Sequence, residues 1–121
     1  MALAHLLAED REPPVEIWGE ALVSSRLLEY EVWTRVHARD LSRSHGDAVR
    51  LVLARLAWVE MRPEVLRRAT LPFPLPVRTL DALHLASLTF LREHGYDVAL
   101  ATYDARLVRA AEAMDIAVAT L

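Results

Sequence analysis

The sequence predicts an α/β domain with a mostly parallel sheet, and three observations lead there. Stretches of helical periodicity alternate with short apolar runs of strand length. The clearest of these runs, residues 97–102, passes almost directly into a helical stretch at 104–114. The chain has 121 residues, 54% of them hydrophobic and 26% charged, which suits one soluble domain spanning 1–121 and leaves no room for a second.

Taken in order, residues 2–8 read as a helix, Pro13 and Pro14 mark a loop or helix start, and 15–20 make a turn or two of helix. A brief strand follows at 21–24. Ser25 is placed to cap the next helix, which carries apolar Leu27, Leu28, Val32 and Val36 and runs to about Leu41. Gly46 separates it from another helix ending near Leu56, and 58–61 is a second strand. Pro63 opens a short helix to about Ala69. The run Leu-Pro-Phe-Pro-Leu-Pro at 71–76 fits neither a helix interior nor a central strand, and reads as a stiff connector. Thr79 caps a helix that continues to His94 and stops at Gly95. The strand 97–102, the helix 104–114 and a closing strand at 116–120 complete the chain.

Composition narrows the chemistry. There is no cysteine, so disulfides, thiolate metal sites and a cysteine nucleophile are excluded, and the five histidines show no paired metal-ligand spacing. The first ten residues lack a basic segment and a long apolar stretch, so the chain is expected to be cytoplasmic, with no membrane association. The formal charge of −3 carries no basic excess of the kind that marks many nucleic-acid binders. All fourteen basic residues are arginine, the side chain that grips phosphate bidentately, although a GC-rich genome yields the same census.

Three acids stand in settings that call for an explanation. Glu31 falls about 40° from Leu27 and about 60° from Leu28 on a helical wheel, inside the apolar face those leucines define. A bland alternative is an i,i+4 pair with Arg35, worth a few tenths of a kcal/mol. Asp81 lies in Leu80-Asp81-Ala82-Leu83-His84-Leu85-Ala86, which is apolar on nearly every face except at Asp81 and His84. A dipole contact in the first helical turn is the alternative there. Asp104 suits an N-cap, yet it also follows a strand at the sheet edge where α/β proteins place ligands. Were the three to converge, two carboxylates about 5 Å apart would repel by roughly 3 kcal/mol at an effective dielectric of about 20, and a cation would relieve them. Oxygen donors alone favour Mg²⁺ or Mn²⁺ over zinc, and such ions serve phosphodiester hydrolysis.

The stretches Ser24-Ser25-Arg26-Leu27-Leu28-Glu29-Tyr30-Glu31-Val32, Arg78-Thr79-Leu80-Asp81-Ala82-Leu83-His84-Leu85-Ala86 and Ala101-Thr102-Tyr103-Asp104-Ala105-Arg106-Leu107 resemble the PIN-domain nucleases, and most nearly the VapC-type toxins. The resemblance implies a three-layer α/β/α PIN-like domain and a ribonuclease using Mg²⁺ or Mn²⁺. It further implies a homodimer held inactive by a cognate antitoxin. Glu31, Asp81 and Asp104 would be the catalytic, metal-binding acids, with Thr102 a helper beside them. Arg26, Arg35, Arg39 and Arg78 are candidate contacts to the RNA backbone.

The chain departs from the family at its front. The family opens with an apolar strand ending in a metal-binding aspartate, whereas Met1 to Leu7 reads here as the helix that should follow it, and Asp10 is a poor substitute. The alternative reading is therefore a PIN-like domain impaired in catalysis that binds RNA or a protein partner. A third reading, a small helical interaction protein whose acids are caps and surface pairs, treats the three motif matches as coincidence.

Overall fold

The computed structural model describes the backbone of residues 2–5, and residues 16 and 19–119 in full. Five strands form one sheet: β1 Ala2–His5, β2 Leu22–Ser25, β3 Ala57–Val59, β4 Ala99–Thr102 and β5 Ala117–Val118, in the order β3-β2-β1-β4-β5. Every pairing is parallel. The helices are α1 Leu27–Ala38, α2 Ser42–Leu53, α3 Pro63–Ala69, α4 Thr79–Glu93 and α5 Ala105–Ala113.

Strand alternation sorts the core into two halves. Leu22 packs with Leu28, Val32, Val36 and Leu53, so α1 and α2 cover one face. The neighbouring Val23, with Val59 and Leu100, packs with Val65 of α3, Leu85 and Leu88 of α4, and Leu107 of α5 on the other face. The result is the α/β/α arrangement expected from the sequence. Its most buried layer is α4, where Ala82 and residues 84–88 are all buried, as a helix apolar on nearly every side requires.

Four local expectations need correction. Residues 2–5 are strand, and not the start of a helix over 2–8. Ala2–His5 pairs with β2 on one side and with β4 on the other, in register from Ala2↔Ala99 to His5↔Thr102. A short apolar run carries no decisive period, and two flanking strands supply its backbone with partners that a helix would forgo. Gly46 lies inside α2, and the chain turns instead at Asp40, whose φ of 52° is a left-handed conformation that aspartate tolerates better than most residues. Ser25 sits one place before the N-cap of α1 and accepts from the Leu27 N–H at 3.2 Å. Thr79 is the first residue of α4, with Arg78 at the N-cap position and no side-chain cap bond. Pro13, Pro14 and Asp10, on which other expectations rest, lie outside the described residues.

The remaining elements fall close to their expected bounds. Pro63 occupies the first turn of α3, where its missing N–H costs nothing. The proline run at 71–76 is a connector without regular structure. α4 ends on His94 and Gly95, whose φ of 86° only glycine adopts freely. No helix among the described residues is long and apolar enough to cross a membrane.

Leu85 of α4 is wholly buried, whereas Leu51 on α2 is 70% exposed. Leu85→Ala is expected to lower stability by about 2–5 kcal/mol, and Leu51→Ala by less than about 0.5 kcal/mol, in urea unfolding.

Candidate active site

Parallel strands place their carboxyl ends along one edge of the sheet, and the three sequence-predicted acids are distributed along that edge. Glu31 lies just over one turn into α1, which leaves β2 through the single residue Arg26. Asp104 follows β4 after one intervening residue, Tyr103, and caps α5. Asp81 occupies the first turn of α4.

Glu31 is held by a residue whose partner the sequence left open. His84 Nε2 stands 2.6 Å from Glu31 Oε1, with the histidine side chain 2% exposed and the glutamate 17%. An ionised carboxylate only accepts, so this contact places the proton on Nε2. The pair links α1 on one face of the sheet to α4 on the other, across the strand ends. Asp81 is one turn before His84 on α4, so the same contact brings the Asp81 end of the helix up to Glu31. The alternative for Glu31, an i,i+4 pair with Arg35, does not occur among the ion pairs of the described residues.

Asp104 takes the capping role that its position suggests. Its Oδ1 accepts from the Arg106 N–H at 2.9 Å and the Leu107 N–H at 3.4 Å, while its own N–H donates to Thr102 Oγ1 at 3.1 Å. Buried Thr102, at the end of β4, thus fixes the backbone that presents the Asp104 carboxylate.

Arg26, a candidate backbone contact, is paired in the fold with two acids. Its Nε and Nη2 donate to the two Glu60 oxygens at 2.8 Å each, its Nη1 donates to Glu29 Oε2 at 2.9 Å, and its guanidinium lies 4.7 Å from the Trp58 ring centroid. The Arg26 N–H donates to the Val59 carbonyl at 2.9 Å, so side chain and backbone together fasten the start of α1 to the exit of β3. Donation to Glu60 holds the arginine further into its charged form, and Arg26 in turn draws the Glu60 carboxyl below its ordinary value. A lowered carboxyl stabilises the fold above its unfolded pKa, and this contribution fades as pH falls through the lowered folded value. Both groups face water, so the contribution is small.

Two cavities flank the start of α4. The larger, ≈ 710 Å³, lies between α3, the proline connector and α4, and no titratable residue lines it. The smaller, ≈ 470 Å³, is lined by Asp81 together with Arg78, Arg106 and Arg109. Arg106 and Arg109 escaped the sequence reading, although their i,i+3 spacing directly after Asp104 was the available signal.

The donors Glu31, Asp81 and Asp104 are all carboxylates, a chemistry that fits a hard divalent ion such as Mg²⁺ or Mn²⁺. Among the described residues, however, no three histidine, aspartate or glutamate side chains stand together as a group able to hold a metal. Glu31 is bonded to His84, and Asp104 to the first amides of α5.

Two curated proteins share this chain's sequence over 97 residues at 39% identity, covering 79% of the chain and 70% of each relative. Both are named Ribonuclease VapC35, from Mycobacterium tuberculosis strains CDC 1551 / Oshkosh and ATCC 25618 / H37Rv. This chain belongs to the VapC family. The three motifs that resembled VapC-type toxins therefore lie in a VapC protein, with the fold that the resemblance implied. No family model matches the chain, and no solved structure matches it at a significant level.

Within this VapC chain, the His84 contact to Glu31 is open to a direct energetic test. His84→Leu removes the donor from a mostly buried carboxylate and is expected to cost about 1–3 kcal/mol in urea unfolding. In a double-mutant cycle with Glu31→Gln the coupling energy is expected to fall at about 0.5–3 kcal/mol, whereas a value near zero would show that the contact is geometric only.

Proposed function

We propose that the chain is a metal-dependent endoribonuclease, the toxin of a type II toxin–antitoxin pair. On this reading residues 1–121 act as one domain in the cytoplasm, as a homodimer, and a cognate antitoxin protein holds the activity in check. The observation that carries the reading is the 39% identity to two proteins named as VapC ribonucleases. The placement of Glu31, Asp81 and Asp104 along the carboxyl edge of the sheet supports it.

Each acid is assigned a task that its surroundings suit. Glu31, Asp81 and Asp104 are the ligands for Mg²⁺ or Mn²⁺. When bound, such an ion supplies charge to neutralise the leaving oxygen and lowers the pKa of an attacking water. His84 orients the Glu31 carboxylate through its Nε2–H. Thr102, through its bond from the Asp104 amide, sets the angle at which that carboxylate leaves β4. No serine or histidine nucleophile is required.

One observation favours a second reading. Because no three-carboxylate group is assembled among the described residues, the chain is alternatively a VapC-type domain impaired in catalysis that binds RNA or a protein.

The two readings separate in a cleavage assay on a panel of structured RNAs with Mg²⁺ or Mn²⁺, beside an EDTA control. The expected result is cleavage that EDTA abolishes and that Asp81→Asn and Asp104→Asn each reduce on the order of 100-fold. Asparagine caps a helix as well as aspartate does, so Asp104→Asn removes the charge while keeping the N-terminus of α5. A folded protein that leaves every RNA intact would favour the binding module.

A further inference from the structure

The cleft of ≈ 470 Å³ beside Asp81 is bounded by the end of the proline connector, the start of α4 and the first two turns of α5. Three arginines line it. Arg106 and Arg109 stand one helical turn apart on the same side of α5, and Arg78 faces them from the residue before α4. All three are exposed. Among the described residues no carboxylate pairs with any of them, whereas Arg26 and Arg50 are each matched with an acid.

This arrangement runs against the balance of the chain. The protein carries a formal charge of −3, yet a single acid, Asp81, shares this cleft with three guanidinium groups. Like charges gathered in one recess repel, and an anion seated among them relieves that repulsion. The planar arginine fork matches a phosphate bidentately, and several such forks along a groove match a chain of phosphates better than a single one. The cleft has the volume of an ordinary small-ligand site. Its remaining wall is Leu75, Pro76, Val77 and Leu107, an apolar surface suited to the face of an unpaired base. A duplex keeps its bases stacked inside and offers no such face, whereas a single strand does.

Resting on the ribonuclease reading, we propose that this cleft seats the backbone of single-stranded RNA, with Arg78, Arg106 and Arg109 as its phosphate contacts and Leu75 to Val77 as the wall for one base. The strand then passes directly beside Asp81. No aromatic side chain lines the cleft, and no hydrogen-bonding side chain other than Asp81 and the arginines does, so it grips the backbone with little base preference.

The test is fluorescence anisotropy with a short labelled single-stranded oligoribonucleotide, in EDTA so that binding is read without cleavage, over a series of salt concentrations. The wild-type chain is compared with the triple variant Arg78→Gln/Arg106→Gln/Arg109→Gln and with Arg43→Gln/Arg67→Gln/Arg92→Gln, which removes three exposed arginines outside the cleft. Thermal melting verifies that both variants fold. The cleft variant is expected to bind on the order of tenfold more weakly or worse, with the slope of log affinity against log salt reduced by about 2, at ~0.7 per phosphate contact. The control variant is expected to change much less.

Unchanged affinity and slope in the cleft variant would overturn the cleft assignment while leaving the ribonuclease reading in place. A wild-type chain that binds no RNA would overturn both. Cleft-dependent binding without cleavage in Mg²⁺ or Mn²⁺ would overturn the ribonuclease reading alone. Tighter binding of a duplex of the same sequence would overturn the single-strand geometry. A polyglutamate peptide that binds through the same arginines when RNA does not would reassign the cleft to an acidic protein partner.

Discussion

Helices on opposite faces of a parallel sheet have the sheet between them over most of their length. They approach each other past the strand ends, and here a bond from His84 Nε2 to Glu31 Oε1 joins α4 to α1. Both partners are costly in isolation. A histidine side chain 2% exposed in the most buried helix, and a glutamate 17% exposed beside it, would each lose hydration without return if left unbonded. Paired, they satisfy one another, and their pairing sets how the first turn of α4 sits against the start of α1. The Arg26 fork to Glu60 complements this from the other side by fastening the start of α1 to the exit of β3. The carboxyl edge is thereby fixed at three places, by His84 to Glu31, Arg26 to Glu60, and Thr102 to Asp104.

That edge combines two kinds of surface with different electrostatic character. The acids Glu31 and Asp104 are turned toward protein partners, while Asp81 opens into a cleft dominated by arginine. For a phosphodiester substrate the two surfaces would be complementary, since guanidinium groups attract a chain of phosphates and carboxylates would supply oxygen donors for a divalent cation. The large apolar cavity on the other side of the proline connector takes no part in this chemistry, as no titratable group lines it.

Much of the architecture was legible because it follows from periodicity and capping, which are local properties. The strands at β2, β3 and β4 and the helices α3, α4 and α5 lie where alternation, Pro63, Gly95 and Asp104 put them. Residues 2–5 were misread because Ala-Leu-Ala-His has no period of its own, and its strand state is imposed by β2 and β4, which are distant in sequence. The reversal between α1 and α2 was assigned to Gly46 because glycine is the commoner signal, while the chain uses Asp40 in a left-handed conformation. At the site, the inward direction of Glu31 was readable from the helical wheel, but its partner lies 53 residues away and no spacing rule reaches it. Arg26 looked available because its two acids, Glu29 and Glu60, converge on it only in the fold. Arg106 and Arg109 gain their meaning only when α5 is laid beside the start of α4.

The central claim is that Glu31, Asp81 and Asp104 serve one divalent ion at the carboxyl edge, and its most direct test is Mn²⁺ binding by isothermal titration calorimetry. The expected result is one ion per wild-type chain and an affinity lower by roughly tenfold or more in each of Glu31→Gln, Asp81→Asn and Asp104→Asn. Absence of Mn²⁺ uptake by the folded wild-type chain, or equal uptake by all four proteins, would contradict it.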